Sequence, residues 1–350
     1  MSNIFKLHLQ RFATNTQVTT QQSLSDEMKT YYDKALIEMA QEELIHDQFG
    51  VKKPIPKGNG KTVEFRRFDP LPKALTPLTE GVTPDGQNLT VHNLTATVSQ
   101  FGAYVAVSDM LDLTAIDPVI YETTKLTGQQ AGRTLDTVVR DVLHGGTNVL
   151  YAPKIVSGTP TAVTQRSGLD MTAKFSTDLL LKARTILRKN NAQKIKKDGI
   201  DAYVAIVHPD IVAVLMKDAD FKSWNQYTTP EKMYKCEVGS IYGIRIIENT
   251  EAKIFNNNTC PVKSAASGND PATYYSVYST IVLGANAYGV TEVEGGGLEN
   301  IVKGKEQAGG PLNQYSTIGW KATQTAERLV EPYMVRIECL TDASATEPAN

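Results

Sequence analysis

Gly58-Asn59-Gly60-Lys61-Thr62 ends as a phosphate-binding loop ends, so nucleotide chemistry is the first possibility to weigh. Such a loop needs another glycine five residues before Gly60, where Ile55 stands. It also needs a helix directly after it, so that backbone N–H groups face the phosphates. Val63-Glu64-Phe65 alternates like a strand instead, and the segment reads as a hairpin turn with Lys61 as a gatekeeper. Gly295-Gly296-Gly297 lacks the G-x-G-x-x-G frame opening a helix and follows Glu294, so it reads as a flexible loop. The histidines are His8, His46, His92, His144 and His208. No two are spaced to share a metal along a helix, and none has a cysteine at ligand spacing. His46-Asp47 could trade a proton, but nothing nearby supplies a nucleophile or metal as the third party. His46 is read as a helix-end residue, His144 as complementing a helix C-terminus, and His208-Pro209 as the end of a strand. Asp109, Asp112 and Asp117 lack the glycine and terminal glutamate of a calcium loop and read as turn and cap residues. No G-x-S-x-G elbow occurs. Cys236, Cys260 and Cys339 are odd in number, widely spaced and without a C-x-x-C pair, so they read as reduced thiols. The expectation is a chain with no catalytic residues, no metal and no cofactor.

Composition agrees with an ordinary folded globular protein. The 350 residues are 41% hydrophobic and 21% charged, enough for one large or two ordinary domains with a real core. Lys plus Arg is 36 against 38 Asp plus Glu. A net charge of −2 argues against gripping nucleic acid by phosphate neutralisation and leaves room only for weak, non-specific contact. No apolar run approaches bilayer length. Lys6, His8, Gln10 and Arg11 interrupt the apolar residues near the N-terminus, so no secretory core forms.

The elements that would position any site read as follows. Residues 13–25 are polar and too poor in apolar side chains to order alone, hence an arm. Asp26 to Phe49 has helical spacing, closed by Gly50 and Pro54. Lys61 to Phe68 starts a strand with Val63 and Phe65 on one face, and Leu89 to Val107 is a longer β run. Pro70, Pro72, Pro77 and Pro84-Asp85-Gly86 lie between them. The whole reads as a long two-stranded arm with an irregular tip, marginal unless it lies on another subunit. Asp117 and Pro118 open a helix that Gly145-Gly146 stops, with an apolar stripe at Leu135, Val138, Val139, Val142 and Leu143. Its early part, with Thr123, Thr124 and Gly128, needs tertiary help. Ser176 caps a helix to Lys189; Ala202 to Val207 is a buried strand; Asp210 to Lys217 is a short helix; Gly239 to Ile247 is a strand pair or bent strand. Tyr274 to Val293 is β-rich, with bends expected at Gly284 and Gly289. Gly295 to Gly310, with six glycines, is expected to be a mobile loop. Gly319 to Leu340 alternates again, Arg336 and Glu338 opposite Val335, Ile337 and Cys339.

One charge pattern stands out. Lys182, Arg184, Arg188, Lys189, Lys194, Lys196 and Lys197 crowd one stretch, while Glu292, Glu294 and Glu299 are acidic. A solvated face is the plain explanation; contact between the two patches on adjacent subunits is the sharper one.

The order of parts, together with several local segments, resembles the tailed-bacteriophage major capsid proteins of the Hong Kong ninety-seven type fold, in the branch of the phage N-four coat protein. The segments are Tyr31-Tyr32-Asp33-Lys34, Gly60-Lys61-Thr62-Val63-Glu64-Phe65-Arg66, Leu75-Thr76-Pro77-Leu78-Thr79-Glu80-Gly81-Val82-Thr83-Pro84, Gly132-Arg133-Thr134-Leu135-Asp136 and Gly319-Trp320-Lys321-Ala322. The resemblance implies an α+β fold with an N-terminal arm at 1–50, an extended hairpin loop at 51–108, and a peripheral domain at 109–175 holding a spine helix at 117–144. An axial domain at 176–311, return strands at 312–341 and a tail at 342–350 follow. It implies pentamers and hexamers closing an icosahedral shell around double-stranded DNA, formed in the host bacterial cytoplasm and residing in the virion. The implied partners are copies of the chain, a separate scaffolding protein, a portal and decoration proteins, with non-specific DNA contact and no membrane. Lys61, Glu64, Arg66, Arg67, Lys73, Glu80, Lys194, Lys196, Lys197, Glu292 and Glu294 are the candidate inter-subunit contacts. An encapsulin-like compartment with the same fold and a soluble α/β enzyme are the competing readings; shell contents would separate the first, and a discrete monomer or dimer would favour the second.

Overall fold

Alternation in Thr62–Phe68 buries Val63 and Phe65 and turns Arg66 to solvent, as the period of a half-buried strand requires. It pairs antiparallel with Val91–Thr97 in a register from Thr62↔Thr97 to Phe68↔Val91. This computed structural model describes residues 36–37, 39–40, 44–58, 60–78, 80–81, 83, 85–114, 119–197, 200–226, 236–264, 273–293, 296–305, 307–308 and 312–350. The expected arm at 13–25, the start of the first helix and the Asp117-Pro118 cap fall outside them. The first helix does not run unbroken to Phe49: residues 44–45 are non-helical and His46–Phe49 forms a single 3-10 turn.

The β run from Leu89 to Val107 divides, which corrects the long-arm expectation. Val98 donates its N–H to Lys61 O at 2.9 Å, the last rung of the ribbon. Ser99–Ser108 then joins the body, pairing with Tyr315–Arg328 from Ser99↔Gln324 to Tyr315↔Ser108. Alternation in the sequence marks a strand but does not name its partner. The same sheet takes in Tyr288–Thr291, Val51–Lys52 and Glu299–Lys303. The last of these lies in the glycine-rich stretch expected to be a mobile loop; Glu299 to Lys303 pairs with Lys321 to Thr317, so five of its residues are ordered by a ladder. Gly289 is not a bend either. It sits within a strand, where an added Cβ would lie 2.6 Å from a Phe65 ring carbon, so glycine is what lets the ribbon's base seat on the sheet.

A second, eight-stranded sheet has the order Glu237–Ile241, Ile244–Glu248, Ile200–Val207, Val277–Leu283, Met334–Cys339, Val149–Tyr151, with Ile254–Phe255 and Ile195–Lys197 attached at its sides. Its central strands are buried on both faces, which is why they read as near-continuous apolar runs. Thr177–Lys189 covers it with Leu179, Leu180, Ala183 and Leu187. His208 caps Pro209–Leu215, its ring accepting from Asp210 N.

The helix Val119–His144 joins the two sheets. Leu135, Val139 and Leu143 are buried as the stripe demands, while Val138 and Val142 are half-buried. Val139 and Leu143 share a cluster with Ile45, Phe49, Ile206, Leu283, Tyr288 and Met334, drawn from both sheets and the 44–49 segment. The polar early turns are closed from outside: a Cβ on Gly128 would lie 2.8 Å from Leu36 O. The thiols of Cys236, Cys260 and Cys339 are free.

Candidate assembly surface

The ribbon's two strands are joined by residues 69–90, whose described side chains are nearly all exposed. Leu71, Leu75, Leu78 and Leu89 stand in water there, Leu75 at 81% and Leu78 at 76% exposure. Phe68 and Val91, the ribbon's outermost pair, are exposed as well. On the neighbouring sheet edge Tyr104 and Val105 are exposed. Scattered surface leucines are ordinary, but four exposed on one polar, proline-rich segment are a concentration of apolar area. Their repetition in a segment too polar to bury them is the sequence signal for this exposure.

The candidate contact residues do not form one cluster. Lys61 is exposed at the ribbon's base; Lys73 and Glu80 are exposed on the 69–90 segment. Glu64 and Arg66 form a loose surface pair at 3.6 Å. Arg67 reaches Asp69 at 3.1 Å, and His92 reaches the other Asp69 oxygen at 2.8 Å. The hydrogen bond from His92, ahead of that from Arg67, holds the Asp69 carboxyl below its ordinary range. Lys196 is exposed and Lys194 half-buried on the strand Ile195–Lys197 and its approach. Glu292 is exposed at the far end of Tyr288–Thr291. The Lys197 side chain and Glu294 lie outside what the structure describes. Lys182, Arg188 and Lys189 stand exposed on Thr177–Lys189, so the basic run is a real surface patch.

The interior holds a polar network that local sequence patterns do not announce. Asp136, Arg140 and His144 occupy i, i+4 and i+8 of the long helix and are all buried. Asp136 accepts from Ile45 N at 2.9 Å, His46 N at 2.6 Å, His46 Nδ1 at 2.7 Å and Asn249 Nδ2 at 3.1 Å. His46 therefore pairs with Asp136, not with Asp47. Burial raises the Asp136 pKa, but the His46 imidazole and the hydrogen bonds outweigh it and leave the carboxyl below its ordinary range. Tyr288 donates its hydroxyl to His46 O. Arg140 donates to Glu251 O at 2.7 Å. His144 is not a charged dipole partner: burial holds its pKa well below the ordinary value, so the ring is neutral. Its carbonyl accepts from Arg336. Arg336 and Glu338 are likewise no solvent face. Glu338 is fully buried, takes two hydrogen bonds from Arg166 at 2.6 and 2.7 Å, and pairs with Arg336 at 2.9 Å. The Arg166 guanidinium lies over the Phe255 ring, 3.6 Å from its centroid. This charge chain connects residues 45–46, the long helix, the 249–255 segment, the 166 loop and the closing strand, and it does structural work.

Among the described residues no group of three or more His, Cys, Asp or Glu is arranged to hold a metal, and no helix is long and apolar enough to cross a membrane. Among the described residues a recess of about 120 Å³ lies between residues 44–54, the long helix and the sheet.

Comparison with known proteins completes the picture. The sequence pattern of a family described as "Phage capsid protein" matches residues 93–326. No curated protein matches the chain in sequence. In structure the chain is similar to the capsid of Ralstonia phage GP4, with a TM-score of 0.58, 13% identity, and coverage of 87% of this chain and 90% of that one. It is similar to the capsid of cyanophage P-SCSP1u, with a TM-score of 0.56, 12% identity, and coverage of 85% and 89%. The head of Helicobacter pylori bacteriophage KHP40 matches with a TM-score of 0.55, 13% identity, and coverage of 85% and 88%. At these identities the likeness is one of fold.

Proposed function

The chain belongs to the phage capsid protein family, as a structural protein of the virion and not an enzyme, and from that premise we propose how it builds a shell. The fold is of the Hong Kong ninety-seven type, in the branch of the phage N-four coat protein. Residues 1–50 form the arm, 51–108 the extended loop, 109–175 with 312–341 the peripheral domain, 176–311 the axial domain, and 342–350 the tail. Copies of the chain associate as pentamers and hexamers of an icosahedral shell around double-stranded DNA, assembled in the host cytoplasm with a separate scaffolding protein, a portal and decoration proteins.

The observation that carries this reading is the set of exposed leucines at residues 71–89, on the segment joining the two strands of the ribbon. A lone ribbon of seven pairs is marginal in water, and the apolar area on its tip is useless to a monomer. Laid on a neighbour, the same area is buried once per copy, and stability then grows with assembly. Lys61, Glu64, Arg66, Arg67, Lys73 and Glu80 flank the patch and set its register through their charge pattern. The basic patch with Lys194, Lys196 and Lys197 faces Glu292 and Glu294 of the next copy. Near-neutral net charge suits a container that holds DNA without binding it tightly.

The test is electron microscopy and sedimentation of the purified chain over a range of concentrations. The expected outcome is closed shells with five- and six-fold clusters. Reversing Lys194, Lys196 and Lys197 to Glu blocks assembly and leaves the monomer folded. A compact monomer at high concentration whose 69–90 segment resists protease would overturn the reading.

A further inference from the structure

After the helix Thr177–Lys189 the chain reverses sharply. Asn191 takes a left-handed backbone, φ +55°, which asparagine tolerates better than most residues. Asn191 N then donates to Arg188 O at 3.1 Å and Ala192 N to Leu187 O at 2.9 Å. This reversal brings Lys194 and Lys196, at the strand Ile195–Lys197 and its approach, into one concavity with Arg188 at the helix end. The concavity is open, about 510 Å³, and Asn191, Gln193 and Asp201 line it too. Its backbone is held in place. Ala192 is buried, Tyr203 donates its hydroxyl to Ala192 O at 2.8 Å, and Ala285 donates its N–H to Gln193 O at 2.8 Å. A backbone already fixed loses little freedom when it takes a ligand.

The charges in it are not balanced. Arg188, Lys194 and Lys196 share it with one carboxylate, Asp201, an excess of two positive charges. Lys196 stands opposite Asp201 in the hairpin register, yet none of the three cations forms an ion pair among the described residues. The side-chain amides of Asn191 and Gln193, both exposed, carry further N–H donors. One helical turn before Arg188, the half-buried Arg184 has an Nε with no acceptor among the described residues. The helix C-terminus carries about half a negative charge, but its Leu187 and Arg188 carbonyls already accept from the reversed chain, and Lys194 and Lys196 lie off the helix. Unpaired donors with a positive excess call for a ligand rich in anionic acceptor oxygens. A guanidinium fork matches two oxygens of a phosphate, and ammonium groups neutralise it as point charges.

We propose that this concavity binds a phosphate-bearing polyanion, free polyphosphate or the backbone of a nucleic acid, through Arg188, Lys194 and Lys196. Two or more linked phosphate groups are the shared chemistry. The inference goes beyond the shell reading and does not rest on it. Glu292 and Glu294 of a next copy, set against the same patch above, compete for these cations, so the full-length chain is tested dilute and unassembled. Sodium tripolyphosphate, a short DNA duplex and a hexaglutamate peptide are titrated calorimetrically in separate experiments at about 0.1 M salt, where remote charges are largely screened. Saturable binding of tripolyphosphate or of duplex is expected, at least about tenfold tighter than that of hexaglutamate. Tighter tripolyphosphate assigns the source as free polyphosphate, and tighter duplex assigns it as nucleic acid. The triple variant Arg188→Gln, Lys194→Gln, Lys196→Gln is expected to bind at least about tenfold more weakly with an unchanged thermal midpoint, because all three side chains stand partly or wholly in water. Lys57→Gln, Lys61→Gln and Lys73→Gln together make the same change in net charge at other exposed lysines and leave binding within about twofold. No binding by the wild-type chain, hexaglutamate as tight as the phosphates, or equal losses in the two triple variants overturns the inference. Phosphate binding by a chain that forms no shell at any concentration overturns the shell reading alone.

Discussion

The junction around Asp136 and the ribbon at residues 62–97 both bring together distant segments, but they treat their leftover groups in opposite ways. At the junction every acceptor position of a buried carboxylate is used: two backbone N–H groups, an imidazole and an amide converge on it from sequence separations of up to 113 residues. At the ribbon the backbone is paired while four leucines remain in water. A buried charge without partners costs several kcal/mol at once, so it must be satisfied within the monomer. Exposed apolar area carries no such penalty in the monomer and can wait for a neighbour. The junction is therefore where the subunit is made stable, and on the proposed reading the ribbon is where it is made associative.

The comparison breaks most directly at Glu338. Replacing it with alanine leaves the Arg166 and Arg336 guanidiniums in place without their shared carboxylate. A loss of about 3–5 kcal/mol is expected by denaturant unfolding; a loss under about 1 kcal/mol would mean that the network is ornamental. Asp136→Asn comes next, at about 2–3 kcal/mol, because one oxygen and its charge are lost while the Ile45 and His46 amides still need an acceptor. Protease cleavage near residues 44–49 should rise in parallel, since that turn is held to the long helix by this side chain.

Acid sharpens the same point. The Asp136 carboxyl titrates below its ordinary range in the folded chain, so its contribution is present above the ordinary carboxylate pKa and is lost as pH falls through the lowered value. His144 adds earlier sensitivity. The unfolded chain takes up a proton near the ordinary histidine pKa of 6.5, while the buried ring does so only well below it. Stability should therefore decline as pH falls below about 6.5 and drop again in the carboxylate range. Unfolding curves from pH 8 to 3 check this, and His144→Gln should flatten only the upper step.

How much of this was legible in the sequence divides along the same line. Local period identified the strand at residues 62–68, the long helix and the helix at 177–189, because each buries side chains at its own spacing. Pairing was not legible: the second half of the 89–107 run and the strand at 299–303 owe their place to Tyr315–Arg328, whose ladder a one-dimensional pattern cannot name. Gly289 was misread because its meaning lies in the Phe65 ring, 224 positions away. The buried charges were written in the sequence as a polar stripe at 136, 140 and 144 beside the apolar one. Charged residues on a helix default to solvent, so the spacing alone does not mark them as buried.

Gly289→Ala tests the seam between the two regions. Its new methyl meets the Phe65 ring, and a loss of about 1–3 kcal/mol is expected, as for overpacking elsewhere. Phe65→Leu in the same chain should recover part of it by opening space; no coupling between the two substitutions would show that the ribbon's base is not seated on that strand.

The smallest effect on the monomer is expected where the effect on assembly is greatest. Leu75→Ser and Leu78→Ser together remove apolar side chains that are about four-fifths exposed, so little burial is lost on folding. The unfolding midpoint should stay within about 0.5 kcal/mol of wild type. On the proposed shell reading each copy buries those leucines, and each is worth roughly 1.5–3 kcal/mol when fully covered. Even half of that, repeated at every contact, should raise the threshold concentration for shell formation well over tenfold. Light scattering at graded concentrations reads the threshold and thermal unfolding reads the monomer. A double-serine chain that assembles like wild type would show that the leucines meet no neighbour, and one that loses monomer stability would show that the ribbon's tip belongs to the subunit's own core.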